Sequence, residues 1–559
     1  MDESTIFLNS SVPKNEGKNG DSLIPVSKFS PFINKFLEER EKVLKIFHQG
    51  GDTIRVSEIL GSIAHLYERI RNVVEYKGEH VLRRNAIERI LRRLLWEHAG
   101  RDTQKIAQVL LRELIWARYL PNDEVPRSKG QNIAKIIDKY LYFLDRLANK
   151  NSGSALSKHR SWIWGIASCE IEEAVDPSNR DAYINLMYSW FTTYYRWKDA
   201  KVTDNDKEIQ IYLAIHRALA KSDDEIMRYH LLIKIYPNWV SADKTVVDDV
   251  VGKFYSIHEA IEKYLHYPDR FKLYRIVQRQ IAPFEIFKTL VSQEKNQIRK
   301  TIDDQIQFEL KIHEICRVKY SQIKQKINRG ILRSIIYIFI TKVALALLIE
   351  IPYEIYKFGH LNYIPIGINI IVPPTMMWLV GLTIRPPTES NTLRILTKLN
   401  SVVYFNPNPS ITDFSLIHIK QESLLTNIFA LIYLLLFILV FGGLTYLLML
   451  AHFDIVGVVI FFAFLSLVLL FGFRVRYTSS ELKITSDKES FIGYIFNNLT
   501  MPLLSTGVYL SKGLAKINFI SVILDFLIEA PLKTIIQVIE EWTSFMREKR
   551  EEVVELPEQ

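Results

Sequence analysis

The chain has 559 residues, a formal net charge of +9 and a mean hydropathy of +0.03. This length predicts more than one domain, and a hydropathy near zero is typical of a charged soluble part joined to a strongly apolar part. With only two cysteines, Cys169 and Cys316, the sequence implies no disulfide framework, and we expect two reduced thiols in a cytoplasmic compartment.

Residues 1–26 are rich in Ser, Asn, Lys and Gly, a composition that predicts disorder. They lack the apolar core and cleavage site of a secretory signal, so we expect the first membrane span to direct insertion. Between residues 27 and 283 apolar residues recur at helical spacing, and alternating strand patterns are almost absent. This pattern predicts a large all-α body, with candidate sub-boundaries near residues 121–130 and 150–157.

Residues 284–330 are polar with a drifting apolar stripe, which predicts a long stalk helix that joins the body to the membrane. Beyond the stalk, four apolar runs each approach the ~20 residues that a spanning helix needs. The runs are Ile331–Ile351, Ile364–Ile384, Leu424–Leu450 and Ile455–Phe473. We therefore expect two transmembrane hairpins, 331–384 and 424–473, joined by a loop at 385–423.

Lysine and arginine lie on one side of these runs, and this asymmetry predicts the orientation of both hairpins. Basic residues are dense before the first run and follow the second and the fourth. By contrast, residues 352–363 carry one lysine and no arginine, and residues 451–454 carry neither. The prediction is a multi-pass protein of the cell inner or plasma membrane, with both termini and the central loop in the cytoplasm.

The tail, residues 474–559, is predicted to be helical and either cytoplasmic or interfacial. Its runs Phe491–Leu514 and Ile517–Ile528 are interrupted or short, as in core or interfacial helices. Pro531 then opens an amphipathic last helix. The sequence leaves two placements open for the tail helices, against the body or on the membrane.

Lys342 lies near the middle of the first apolar run, where a charged side chain is costly and usually faces a bundle interior, a partner or water. Glu350 and Glu354 follow it, and Asn369 of the second run is a candidate partner. Together these four residues are predicted to form an intramembrane polar pathway for a proton or an ion. The alternative interpretation places Lys342 at the inner interface and gives Glu350 a structural role.

The second run contains Pro365, Pro373 and Pro374, and two adjacent prolines remove two backbone donors. We therefore expect a helix break, either at a binding site, as in discontinuous transporter helices, or as an ordinary proline kink. The third and fourth runs carry no charge within their apolar stretches and are expected to act as anchors.

The predicted helix near residue 90 carries a patch of five arginines opposite its apolar face. They are Arg83, Arg84, Arg89, Arg92 and Arg93. Such a patch is a candidate surface for lipid headgroups or other anions, and the alternative is a solvated face paired with acidic neighbours. Nucleic acid is disfavoured because no glycine-rich or aromatic binding motif accompanies the arginines.

The chain contains no catalytic, nucleotide-binding or metal-binding motif, so the sequence predicts no catalytic residue, no metal site and no cofactor. The preferred interpretation is a membrane-anchored helical scaffold, adaptor or complex subunit that contacts membrane lipids and binds protein partners through its body. The alternative is a transporter or channel component for protons, ions or a small solute, built on the first hairpin. Oligomerisation is compatible with either interpretation.

Overall fold

The structure is a computed structural model. It describes residues 28–47, 52–56, 65, 68, 79–97, 102–150, 155–177, 180–416, 423–484, 491–515, 538, 542, 545 and 546. The predicted disorder of residues 1–26 and the predicted helices beyond residue 516 fall outside these ranges, apart from the isolated positions near the C-terminus.

Helices dominate the described residues, which confirms the predicted all-α fold. In chain order they are α1 Pro31–Phe47, α2 Glu79–Glu97, α3 Thr103–Trp116, α4 Ser128–Lys150, α5 Ala155–Val175, α6 Arg180–Tyr194, α7 Asp204–Ile215, α8 Asp224–Ile235, α9 Lys244–Gly252, α10 Phe254–Leu265, α11 Arg270–Gln278, α12 Ile281–Glu294, α13 Ile298–Asp303, α14 Gln305–Leu345, α15 Ile351–Phe358, α16 Tyr363–Thr383, α17 Glu389–Val403, α18 Ser423–Leu450, α19 Ile455–Ser479 and α20 Phe491–Ala515. Wider π-helical turns extend α7 and α14, at His216–Ala220 and Ala346–Glu350.

The first compact unit comprises residues 1–278, 405–415 and 518–559. Its largest core gathers apolar and aromatic side chains from α2 to α5 and from α7 to α10. Within it, the rings of Tyr140 and Phe143 on α4 meet the ring of Trp239 edge-on. Asp223 and Asp243 accept backbone hydrogen bonds at the starts of α8 and α9, so short acidic caps separate the helices of this body.

The predicted loop at 385–423 contains regular structure. Helix α17 lies in its first half, and the strand β2, Thr412–Phe414, pairs in parallel with β1, Tyr195–Trp197. The Phe414 ring also stacks on the Trp197 ring, with centroids 6.1 Å apart. A segment of the predicted loop therefore belongs to the first unit.

The second compact unit comprises residues 279–404 and 416–517. Here the single stalk helix predicted for 284–330 is divided among α12, α13 and the first part of α14. The break between α13 and α14 lies at Asp304. Its carboxylate accepts hydrogen bonds from the backbone N–H groups of Ile306 (3.0 Å) and Gln307 (3.2 Å). This N-cap starts a new helix, and α14 then continues through Gly330 without interruption.

Four helical segments of the described residues are long and apolar enough to cross a membrane. They are Gln305–Lys357, Tyr363–Thr383, Asn427–Leu450 and Ile455–Tyr477. Helices α14, α16 and α19 pack on one another, with Ile338, Met377 and Val468 buried together. Exposed apolar side chains are numerous on α18, for example Leu434 at 53% exposure. These features fit a membrane protein.

Helix α20 packs antiparallel along α19. The Arg476 guanidinium donates to Asn497 near the start of α20, at 3.2 Å, and further along Gly507 meets Ser466. A Cβ atom added at Gly507 would lie 2.4 Å from the Ser466 carbonyl oxygen, so only glycine allows this approach. Pro502 lies inside the helix rather than interrupting it. The first tail helix thus packs on the fourth candidate span, a placement that the sequence did not predict.

Candidate functional site: a buried polar cluster between two candidate spans

Helix α14 carries Lys342 into the interface with α16. The Lys342 side chain is fully buried, at 0% exposure, and its Nζ donates a 2.6 Å hydrogen bond to Oδ1 of Asn369 on α16. Lys342 therefore faces the interface between α14 and α16.

Glu350 completes the group. The Asn369 Nδ2 donates to its Oε1 at 2.8 Å, and the same oxygen lies 3.5 Å from the Lys342 Nζ. On an ideal α-helix the two charged residues would point about 80° apart. The π-helical turn at Ala346–Glu350 is wider than an α-helical turn and reduces this offset, so both side chains reach the same amide. We call these three residues the Lys342 cluster.

Phe464 of α19 covers the Lys342 cluster. Its ring centroid lies 4.3 Å from the Lys342 Nζ, within the range of a cation–π contact. The sequence analysis missed this contact because a phenylalanine inside an apolar run has no distinguishing signal. Glu350 and Asn369 are 7% and 1% exposed, so the cluster is enclosed by protein.

A groove of about 660 Å³ lies beside the Lys342 cluster without opening into it. Residues of α14 and α19 line this groove, including Thr341, Phe464 and Arg474, but none of the three cluster residues does. Among the described cavities, none is lined by Lys342 or Glu350. In this structure the cluster is therefore a closed hydrogen-bonded group.

Glu354, the fourth residue of the predicted pathway, lies outside the cluster. Its carboxylate accepts a 2.9 Å hydrogen bond from the Asn362 backbone N–H in the turn before α16. Nearby, Asp454 accepts hydrogen bonds from Tyr353 (3.0 Å) and Lys357 (2.8 Å) and so joins α15 to the turn before α19. The sequence analysis missed Asp454 because its partners lie about a hundred positions away.

A discontinuous helix at Pro365, Pro373 and Pro374, one of the two predicted forms of the break, is wrong, whereas an ordinary proline kink stays a prediction. Helix α16 is continuous from Tyr363 to Thr383, with Pro365 in its first turn, where its missing N–H needs no helical partner. Pro373 and Pro374 lie inside the helix and are buried against its neighbours. Neighbouring helices can satisfy the backbone groups that prolines leave without partners, so a membrane helix can continue through them.

The five arginines of the predicted anion-facing patch are paired with carboxylates. Their partners are Glu172 and Asp176 for Arg83, Glu88 and Asp223 for Arg84, Glu68 for Arg89, Glu88 for Arg92 and Glu113 for Arg93. Arg84 is only 4% exposed. These ion pairs favour the alternative of a paired face over a surface for lipid headgroups or other anions.

Comparison of the chain with protein-family models, with curated proteins and with solved structures found no significant match. Function therefore has to be inferred from the Lys342 cluster and its surroundings. Chemically, a closed lysine–amide–carboxylate group can do two things. It can bind two helices together, or it can pass a proton if water reaches it.

Proposed function

We propose that the chain is a membrane-anchored helical scaffold, adaptor or complex subunit whose membrane part is a static anchor. The observation that carries this proposal is the closed Lys342 cluster. Its charges are paired and buried, and no described cavity reaches them. A conducting pathway would need polar groups that water or an ion can contact.

The distribution of mass supports the same proposal. The first compact unit contains none of the four candidate spans, and the second contains all of them. The candidate span Asn427–Leu450 carries no charged residue. A large helical unit and an inert anchor in one chain suit a protein that presents binding surfaces at the membrane.

We also propose that the N-terminal body faces the cytoplasm. Lysines and arginines next to membrane spans are usually cytoplasmic, and they are dense in the segment that joins the body to the first span. Helix α20, 25 residues long, would be a fifth membrane-embedded helix since it packs along α19.

A second candidate function is proton-coupled transport. It is favoured by the Lys342–Glu350 pair, because ionisable residues at membrane depth often mark relays in transporters. In this case a conformation other than the closed one would admit water to the pair.

Proton flux separates the two candidates. The full chain is reconstituted in liposomes that contain a pH-sensitive dye, and a pH gradient is imposed. The anchor proposal expects flux no greater than that of empty liposomes. Transport would be supported instead by flux that disappears in Lys342→Met and persists in Lys357→Met, a matched change at the interhelical turn.

Partner binding is tested by photo-cross-linking in native membranes. A photo-reactive residue replaces Phe271, which is 63% exposed on α11 of the body, or Leu434, which is 53% exposed on α18. The proposal expects a discrete protein adduct from position 271 and lipid adducts from position 434. If Trp96 and Val240, two further exposed apolar positions among the described residues of the body, also give no protein adduct, the scaffold proposal fails.

A further inference from the structure

The body contains a second polar cluster, formed by Glu173, Asp181 and His230. These residues come from α5, α6 and α8, and His230 lies 49 residues after Asp181, so the sequence shows no familiar ligand spacing. The His230 Nε2 lies 3.5 Å from Glu173 Oε1 and 3.8 Å from Asp181 Oδ1. Possible ligand atoms of the three side chains all lie within 4.8 Å of one another.

His230 is aimed into this cluster without a hydrogen-bond partner. Its side chain is 7% exposed, and its Nε2 is buried and makes no hydrogen bond to any described residue. The Asp181 Oδ1 is buried and unsatisfied in the same way. Buried polar atoms almost always have partners, so two orphaned atoms that face each other indicate a missing ligand between them.

The distances fit a metal ion better than a direct contact. Hydrogen bonds between nitrogen and oxygen are about 2.7–3.2 Å long, shorter than both separations at His230. A tetrahedral ion with ligand bonds of about 2.0–2.2 Å holds its ligand atoms roughly 3.3–3.6 Å apart. The measured 3.5 and 3.8 Å lie close to that spacing.

His216 packs behind His230 and contributes to its orientation. The two imidazole rings are 4.6 Å apart, and the His216 Nδ1 lies 3.3 Å from the Ser222 hydroxyl. His216 begins the π-helical turn at His216–Ala220, and such turns occur frequently at functional sites.

We propose that Glu173, Asp181 and His230 bind a divalent transition-metal ion of the Zn²⁺ type. One imidazole nitrogen with two carboxylates is a donor set for such ions, whereas Ca²⁺ and Mg²⁺ prefer oxygen ligands alone. The Asp181 side chain is 49% exposed, which provides an entry path and leaves a fourth position to water. The sequence predicted no metal site, so this proposal departs from that expectation.

The test is metal binding by the full chain in detergent. After treatment with a chelator and desalting, the protein is incubated with Zn²⁺ alone, gel-filtered and analysed for bound metal by mass spectrometry. We expect about one ion per chain in the wild type and at least about 100-fold weaker binding in His230→Ala, since loss of a second-shell partner already costs 10–100-fold. The matched control His266→Ala removes an exposed histidine outside the cluster and should bind as the wild type does.

Asp181→Asn is a second test variant for the case that His230→Ala, which removes a buried side chain, does not fold. This change is nearly isosteric at a half-exposed position, so the fold should persist while a charged ligand is lost. Zn²⁺ should raise the Tm of the wild type and of His266→Ala but not of Asp181→Asn. The proposal is overturned if the wild type retains no stoichiometric Zn²⁺, or if Asp181→Asn and His230→Ala bind it as tightly as the wild type.

Discussion

The Lys342 ammonium group and the Asn369 side-chain oxygen, on neighbouring helices, are joined by a 2.6 Å hydrogen bond in a fully buried position. A lysine inside an apolar helix is stable there only if its charge and donors are matched by its surroundings. Asn369 meets this need by accepting from the lysine and donating to Glu350 at 2.8 Å. One amide therefore connects two charges that lie eight residues apart on the same helical run.

Removal of one charge from this group should destabilise the membrane unit. Lys342→Met leaves the Glu350 carboxylate buried without its counter-charge, which we expect to lower the free energy of unfolding by about 3–5 kcal/mol. Reversible unfolding of the purified chain in mixed detergent–SDS micelles measures this loss. Lys357→Met, at the exposed turn, should have a much smaller effect.

The double variant Lys342→Met/Glu350→Leu tests whether the two residues act as a unit. Removing both charges eliminates the unpaired carboxylate, so the double variant should be less destabilised than the sum of the single variants. We expect a coupling energy of about 1–3 kcal/mol in this double-mutant cycle. Additive effects would show that the 3.5 Å contact between Lys342 and Glu350 has no energetic role.

Substitution of two arginines of the paired patch should lower the stability of the body by very different amounts. Arg84→Met leaves Glu88 and Asp223 without a buried partner and should lower the free energy of unfolding by about 3 kcal/mol. Arg92, whose side chain is 42% exposed, contributes a surface ion pair, so Arg92→Met should cost less than about 1 kcal/mol. Chemical denaturation of the two variants gives both values. Equal losses would contradict the assignment of Arg84 as a buried structural charge.

The sequence predicted the helical class and the apolar runs because periodicity and run length depend on local composition alone. It also identified Lys342, Glu350 and Asn369, since polar side chains stand out in an apolar run. It failed where tertiary packing decides the outcome. The continuity of α16 through Pro373 and Pro374 depends on neighbouring helices, and the apolar residues of α20 do not reveal the close approach of Gly507 to α19.

The same limit explains the missed contacts. Phe464 and Asp454 acquire their roles from partners about a hundred residues away, and the cluster of Glu173, Asp181 and His230 has no local spacing. The sequence did identify the patch of arginines, but it could not identify their acidic partners because these lie on several helices. Charge patterns can therefore indicate where a polar group lies without indicating what it faces.

Stability of the body should depend on pH through Glu262. Burial alone would raise the pKa of this carboxyl. Hydrogen bonds from Arg228 (2.6 Å) and Trp162 (2.8 Å) lower the pKa by more than burial raises it, so the pKa lies below the usual 4.5. The folded state then binds the proton more weakly than the unfolded state. The stabilising contribution is complete above about pH 4.5 and is lost as the pH falls through the lower folded-state pKa.

Glu262→Gln isolates this contribution, because the other titrating groups, His258 among them, are the same in both proteins. The difference in unfolding free energy between wild type and variant should be largest near neutral pH and shrink below pH 4.5. Urea denaturation at a series of pH values measures it. A difference that stays constant or grows toward acid pH would show that Glu262 is not held in its charged form.

Lipid should keep water away from the side chains of helix α20 that are not covered by protein. Tyr509 is 79% exposed, two residues beyond the glycine that meets Ser466 in the fourth candidate span. If lipid covers this surface, Tyr509→Cys in liposomes should react with a water-soluble maleimide at least about tenfold more slowly than His360→Cys in an interhelical turn, because a thiolate is disfavoured in an apolar medium. The native cysteines, Cys169 and Cys316, are both buried and give little background.

The reagent must reach both faces of the liposomes, so labelling is done after freeze–thaw cycles with maleimide present. Denaturation in SDS also exposes the two native cysteines, so the Tyr509→Cys variant should then bind one maleimide per chain more than the wild type. That difference shows that the added thiol was intact but inaccessible. Labelling of both positions at equal rates before denaturation would place α20 in water or at the interface. In that outcome the close packing of Gly507 on Ser466 would have to form outside the lipid, and α19 would extend beyond the membrane at its middle.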